Sequence, residues 1–446
     1  MQIEKPEAVK YPARPFTPLQ EKEFDALMEL ERQARQNSNM DLSQSTCKKI
    51  WDLLLKHGDP IKMITVVKSL TTKRGQIIRT VTELVKECMS FVEKIPDEGV
   101  KIYFVTELKN ICDKKMYVEV EYARCAMILV KHNEKNNANL EEAAKIMENV
   151  QVETYSSMTK REKVEFILYQ MHIQFILKDE IKLAIVSKKI NPKMLEEPGF
   201  HILKIVYYLF LFYLNHKGKL YKECSSNLEN VLEGLKLTQN QAELKDVDPI
   251  LLSKYPFFLE RNVLAEAILL FKSMEEHSFD KIESIDKLKS KYDEFLVNSK
   301  EILSLIESFL SKELTSCDLK FNVLRNFPVF NSQFDNSDEM LKCVHDQLIK
   351  KNLAIVAKFF KNTTLPRLAK ILETEVDDVE DCLCDLIVNK IIKAKIDRPL
   401  KVVDFSLPEI SNDDDMIDNW VKNINEIVDI IDLACERIEH EDVLVK

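Results

Sequence analysis

Residues 364–405 read TLPRLAKILETEVDDVEDCLCDLIVNKIIKAKIDRPLKVVDF. Thr363 or Thr364 can cap a short helix starting at Pro366, since proline suits a first turn, where its missing N–H has no partner to lose. Thr374, with Asp377 three positions on, forms an acidic variant of the capping box. It opens a second helix whose apolar face is Val376, Val379, Leu383, Leu386 and Ile387. A β-rich run follows, Ile391 to Ile396, then a turn at Asp397-Arg398-Pro399 and a second run from Leu400 to Phe405. Upstream, Leu341 to Phe360 has the pattern of a longer helix. Three helices followed by a two-stranded hairpin is the order of a winged-helix domain.

The rest of the chain is read as helix. Only 6 glycines and 14 prolines punctuate 446 residues, of which 45% are hydrophobic. Leu, Lys, Glu and Ile fill the intervals, and these residues lose little freedom in a helix. An all-β or α/β chain of this length needs many more glycine-containing turns. From about Leu19 onward helices alternate with short breaks at His57-Gly58-Asp59-Pro60, Pro96-Asp97-Glu98-Gly99, Asn136-Asn137 and Glu197-Pro198-Gly199. Along 158–176, Met158, Val164, Ile167, Leu168, Met171, Phe175 and Ile176 recur at helical spacing, while Lys160, Arg161, Glu165 and Lys178 fall elsewhere. Many such helices with short connections predict antiparallel pairs stacked into a solenoid. No repeat signature of Trp and Gly is legible, so the stacking rests on helix density. Helical patterning continues around 259–276 and 293–312.

The expected organisation is a proline-rich flexible arm (1–18), a helical-repeat solenoid (19–340), a winged-helix domain (341–406) and a long C-terminal helix (413–443). In that last segment Ile417, Trp420, Ile424, Ile427, Ile431, Ala434 and Ile438 are spaced 3-4-3-4-3-4, an unbroken heptad seam. Asp413, Asp414 and Asp415 sit at its N-terminal end, where acidic groups favour the helix dipole. One helix cannot bury such a seam alone; it needs partners.

Several chemistries are excluded locally. The nearest two glycines, Gly218 and Gly234, are 16 positions apart, so no phosphate-cradling loop or nucleophile elbow with paired glycines exists. The nearest histidines, His201 and His216, are too far apart for a local metal motif. Cys382 and Cys384 form a lone C-x-C whose sulfurs point to different helix faces, and Cys343 with His345 a lone C-x-H; both read as packing rather than ligation. Neither catalysis nor a cofactor is expected. The ten cysteines lack framework spacing, which suits reduced thiols in cytoplasm or nucleus. No signal peptide is expected from the charged, proline-rich N-terminus. The apolar run Ile205 to Leu214, at ten residues, falls short of the about 20 a membrane span requires. The net charge of -10 disfavours a nucleic-acid binder. So does the helix from Glu375 to Asn389, which carries Glu375, Asp377, Asp378, Glu380, Asp381 and Asp385 and no Lys or Arg. Lys390, Lys393, Lys395, Arg398 and Lys401 leave the hairpin basic, and its strand edge is a template for pairing.

A helical solenoid ending in a winged helix resembles the PCI family, shared by subunits of the proteasome lid, the COP9 signalosome and translation initiation factor three. The stretches KRGQIIRTVTELVKECMSFVEKI from Lys73, KMYVEVEYAR from Lys115, LEEAAKIMENVQVETYSSM from Leu140 and EKVEFILYQM from Glu162 are similar to a proteasome-lid member of that family. So are LIVNKIIKAKIDR from Leu386 and DNWVKNINEIVDIID from Asp418. The resemblance spans about 24–194 and 345–443; residues 195–340 depart from it. It implies a right-handed-type helical solenoid, winged helices joined side by side into an arc, and C-terminal helices gathered in one bundle. The implied partners form a hetero-oligomer: other PCI and deubiquitinase-type lid subunits, the proteasome ATPase ring and the core particle, with no nucleic acid and no membrane. Two surfaces are expected to carry assembly: the hairpin around Ile392, Ala394, Ile396, Val402 and Val403, and the heptad seam. The alternatives are the signalosome member of the family and a winged-helix nucleic-acid-binding protein.

Overall fold

The computed structural model describes residues 18–37, 39–135, 140–237, 260–276, 278–296, 300–315 and 337–405, with single residues and pairs between Trp420 and Cys435. The expected arm lies outside these, apart from Pro18, which opens the first helix. The break at Asn136-Asn137 and the acidic run Asp413 to Asp415 also lie outside the described residues. Two compact units divide the chain, Met1–Ile268 and Leu269–Lys446.

The first unit is a succession of helices: α1 Pro18–Gln36, α2 Met40–His57, α3 Pro60–Thr72, α4 Ile78–Val92, α5 Glu98–Cys112, α6 Glu119–Lys135, α7 Leu140–Glu148, α8 Lys160–Leu177, α9 Glu180–Ser187, α10 His201–Lys217 and α11 Tyr221–Leu237. Helix α12, Arg261–Met274, crosses into the second unit. Each break has a local cause. Gly58 takes the left-handed conformation (φ 69°) and donates its N–H to Leu54 O, closing α2. Asp59 accepts from Ile61 N at 3.1 Å and opens α3, with Pro60 in its first turn. Asp97, Thr159 and Asp179 cap α5, α8 and α9 in the same way.

Most helices pack on their successors, and α2 on α4, α3 on α5 and α8 on α10 as well, so the core runs continuously along the stack. Ile50, Met63, Val67, Leu70, Val85, Cys88, Phe104 and Leu108 fill its first part. Trp51 meets Phe91 edge-on, centroids 6.2 Å apart. Helices α10 and α11 approach closely at Gly234, where an added Cβ would stand 2.8 Å from Ile205 Cγ1. The apolar run Ile205 to Leu214 is the middle of buried α10, and among the described residues no helix is long and apolar enough to cross a membrane.

Helix α8 differs from its expected one-sided pattern. Val164, Ile167, Leu168, Met171 and Phe175 are buried, but so are Phe166, Gln170, His172, Ile173 and Gln174. Contacts with α7, α9 and α10 cover it on several sides, which draws polar side chains inside. His172 Nε2 lies 2.8 Å from Glu134 Oε1, and the Tyr169 hydroxyl donates to the same carboxylate, tying α8 to α6.

In the second unit α13 (Phe279–Lys291), α14 (Asp293–Leu296) and α15 (Lys300–Leu310) lead to α16, Ser337–Phe359. Lys281, 2% exposed, donates to the carbonyls of Ser273 (2.8 Å) and Glu275, and lies 3.5 Å from Gln347 Oε1 and 5.4 Å from the Phe309 ring centroid. Burial lowers its pKa to about 7 even though the Glu275 charge raises it.

Strand β1 (Asn362–Thr364), α17 (Leu365–Leu372), α18 (Val376–Val388), β2 (Lys395–Asp397) and β3 (Val402–Asp404) follow. Helix α16, β1, α17, α18, β2, β3 is a winged helix, and the chain is a helical solenoid followed by that domain. The sheet has three strands in the order β1-β3-β2, all antiparallel, rather than the two expected. Three local details also differ. Thr363 and Thr364 belong to β1 and make no capping bond; the Leu365 N–H goes to Lys401 O at 2.8 Å, extending the sheet. Thr374 does not open α18, because Glu373 turns left-handed (φ 56°) to end α17 and Thr374 N–H is spent on Ala369 O. The strand expected from Ile391 begins only at Lys395, since Lys390 (φ 57°), Ile391 and Ile392 turn back to close α18, the latter two donating to Leu386 O.

Candidate assembly interface

The winged helix sorts the expected hairpin residues by depth. Ile396 pairs with Val403 and Asp397 with Val402 across β2 and β3. Val403, on the central strand, is fully buried and Ile392 nearly so; both pack inside the domain. Ala394, Ile396 and Val402 are half-buried, so they form the part of this set that an incoming chain can reach. Among the described strands nothing pairs with the outer edge of β2, which leaves its backbone groups free for a further strand.

Outside the terminal helix, Leu314, Phe359, Val388 and Leu400 of the second unit are also exposed, and the sequence reading placed none of them on an assembly surface. Phe359 and Val388 close their helices, and Leu314 and Leu400 lie between elements, where spacing carries no signal.

Electrostatics define the outer face of α18. Asp377, Asp381 and Asp385 are exposed at four-residue steps and form one acidic stripe. Lys350 Nζ reaches Asp385 Oδ2 at 2.6 Å, and Arg398 Nε donates to Glu380 Oε1 at 2.7 Å, so the turn between β2 and β3 spends one of its cations within the domain. Such a face repels phosphate. Burial and the neighbouring Asp346 push the Cys382 thiol up to about 12, which keeps it protonated and weakly nucleophilic. No group of His, Cys, Asp or Glu among the described residues is arranged to hold a metal ion.

The C-terminal seam has the opposite character. Trp420, Ile424, Ile427 and Ile431 are helical and 72%, 46%, 57% and 53% exposed. Ile417, Ala434 and Ile438 lie outside the described residues. Val421 and Val428, one position after two seam residues, are exposed too, as is Ile430. The apolar stripe is thus broader than a two-helix seam and suits a helix with more than one neighbour.

A row of packed helices, a winged helix with a free strand edge and a helix carrying an uncovered apolar stripe define a scaffold-type assembly subunit. Comparison with known proteins gives the family. The PSMD12/CSN4 N-terminal family model matches residues 22–240, and the PCI domain model matches residues 328–407. The chain therefore carries an N-terminal region of the PSMD12/CSN4 type followed by a PCI domain. Curated relatives match nearly end to end. The 26S proteasome regulatory subunit RPN5 of Saccharomyces cerevisiae is 26% identical over 94% of this chain and 91% of its own length. The 26S proteasome non-ATPase regulatory subunit 12 homolog B of Arabidopsis thaliana is 27% identical over 96% and 97%. The 26S proteasome non-ATPase regulatory subunit 12 of Dictyostelium discoideum is 28% identical over 95% and 90%.

Proposed function

We propose that this chain is a non-catalytic structural subunit of the proteasome regulatory particle lid, serving ubiquitin-dependent protein degradation in cytoplasm and nucleus. The observation that carries the reading is the near end-to-end match to relatives named as 26S proteasome regulatory subunits. The exposed stripe from Trp420 to Ile431 supports it, because apolar helix faces of this breadth persist in function only when covered.

In this reading residues 19–340 are the solenoid, 341–406 the winged helix and 413–443 the bundle helix. The free edge at β2 joins a neighbouring winged helix, and the terminal helix joins a bundle built from other PCI and deubiquitinase-type subunits. The ATPase ring and core particle complete the assembly.

The test replaces Ile424 and Ile427 by Asp together. Leaving carboxylates unpaired among apolar helices costs roughly 3–5 kcal/mol, more than a hundredfold in affinity. The variant should keep the wild-type melting curve and fail to co-purify with lid subunits; normal co-purification sinks the bundle assignment. Mass spectrometry of the wild-type complex separates the signalosome alternative, because recovery of proteasome ATPases rules it out. The nucleic-acid alternative requires a mobility shift with duplex DNA or RNA at low salt.

A further inference from the structure

The connection between α3 and α4, Lys73 to Ile77, is fastened to α1. Glu31, fully buried, lies 3.3 Å from Arg35 Nε and 3.6 Å from Lys73 Nζ, and Arg35 Nη1 donates to Arg74 O at 2.6 Å. Gly75 takes the left-handed conformation (φ 74°), which turns the chain toward α4. A groove of about 760 Å³ opens beside this turn, between Met40 at the start of α2 and residues 78–86 of α4. Its volume falls within the roughly 300–1,000 Å³ of binding clefts. All of these elements belong to the first unit.

Two kinds of side chain line the groove. Met40 and Ile78, 57% and 59% exposed, supply an apolar wall. Arg79 and Lys86 are exposed cations that form no ion pair among the described residues. Glu83 is the one carboxylate among the described lining residues; Gln44 Nε2 donates to it, and Lys48 Nζ stands 3.7 Å away. Asp41 and Glu87, both exposed, lie outside the lining. The groove therefore keeps uncompensated positive charge on a chain whose net charge is -10.

Arg79 and Lys86 are seven positions apart on one face of α4, about 10 Å along its axis. A second helix packed alongside presents side chains at the same interval. Carboxylates seven positions apart on it meet both cations, while apolar residues on the same face cover Met40 and Ile78. A phosphate polymer would satisfy the cations and leave the apolar wall wet. A wholly apolar helix would strip water from two cations and give them no partner.

We propose that this groove docks an amphipathic helix of a partner protein, with carboxylates seven positions apart along its apolar face. The fastened α3–α4 turn shapes the groove before the partner arrives, which lowers the ordering cost of binding. The site lies in the first unit and does not rest on the lid assignment.

The full chain is titrated into the fluorophore-labelled peptide acetyl-LAAEAKALAAEAKAL-amide at low salt and followed by fluorescence anisotropy. Saturable binding is expected in the micromolar to sub-millimolar range. The same peptide with both glutamates replaced by glutamine should bind about tenfold more weakly, the effect of losing two exposed ion pairs. Arg79→Gln combined with Lys86→Gln should abolish the difference between the two peptides and leave the melting temperature unchanged, since both side chains are exposed. Should that variant melt lower, Ile78→Ser at the exposed rim provides the comparison and should weaken both peptides alike. Equal binding of the two peptides by the wild-type chain, no saturable binding, or unaltered binding in these variants overturns the site. So does binding of duplex DNA or self-association of the chain that is lost in the double variant, which assigns the groove to nucleic acid or to a second copy.

Discussion

Helix α8 hides Gln170, His172 and Gln174, whereas the helical residues between Trp420 and Ile431 expose tryptophan, valine and isoleucine. Both depart from the rule that a helix buries its apolar side and shows its polar one. The causes differ. Helix α8 is covered on several sides by α7, α9 and α10, so its polar groups are carried inside and must find partners there. Among the described residues nothing covers the stripe of the terminal helix. An unusual interior marks a helix whose neighbours are supplied; an unusual exterior marks one whose neighbours come from elsewhere.

Four substitutions test that contrast, in order of expected effect. Phe166→Ala in α8 opens a cavity at a site 2% exposed and should cost about 3–5 kcal/mol, read as a fall in the denaturant midpoint of the isolated chain. An unchanged midpoint would falsify the description of α8 as covered on several sides. Lys281→Met addresses the buried cation of the second unit. With a folded pKa of about 7 against 10.5 for the free side chain, the unfolded chain holds a proton there that the folded chain has shed. Wild-type stability should therefore rise as pH climbs from about 7 toward 10, with a slope up to about 1.4 kcal/mol per pH unit, and the methionine variant should lose that part of the slope. Melts at several pH values decide it; identical slopes refute the buried-cation account.

Gly234→Ala sets a helix-propensity gain of about 1 kcal/mol against a clash at 2.8 Å with Ile205. Overpacking costs about 1–3 kcal/mol, so the net should be a loss of roughly 1 kcal/mol by chemical denaturation; a stabilised variant would mean that α10 gives way easily. Ile427→Ala on the exposed stripe should shift the isolated chain by no more than about 0.5 kcal/mol, and should still weaken association measured by pull-down with lid subunits. A large loss of stability in the isolated chain would place the stripe inside its own fold.

Much of this was legible in the sequence, and the limits are physical. Gly58, Asp59 and Pro60 act locally, so the α2–α3 break could be read directly, as could the helical stretch 158–176 that overlaps α8. The third strand could not, because Asn362 to Thr364 is too short to show alternation and pairs with Val402 to Asp404 far along the chain. Ile392 and Val403 were expected on the pairing surface of the hairpin, yet the closure of α18 and the central place of β3 put both inside. The burial of Gln170 and Gln174 was invisible, since both look like the wet side of an amphipathic helix until their neighbours are known.

The uncovered stripe also bears on supply. A copy made in excess of its neighbours keeps Trp420, Ile424, Ile427 and Ile431 in water, where such surface promotes self-association and capture by chaperones or proteases. The lifetime of the chain then follows the abundance of whatever covers that helix, and matched stoichiometry arises from differential survival without any need for matched synthesis.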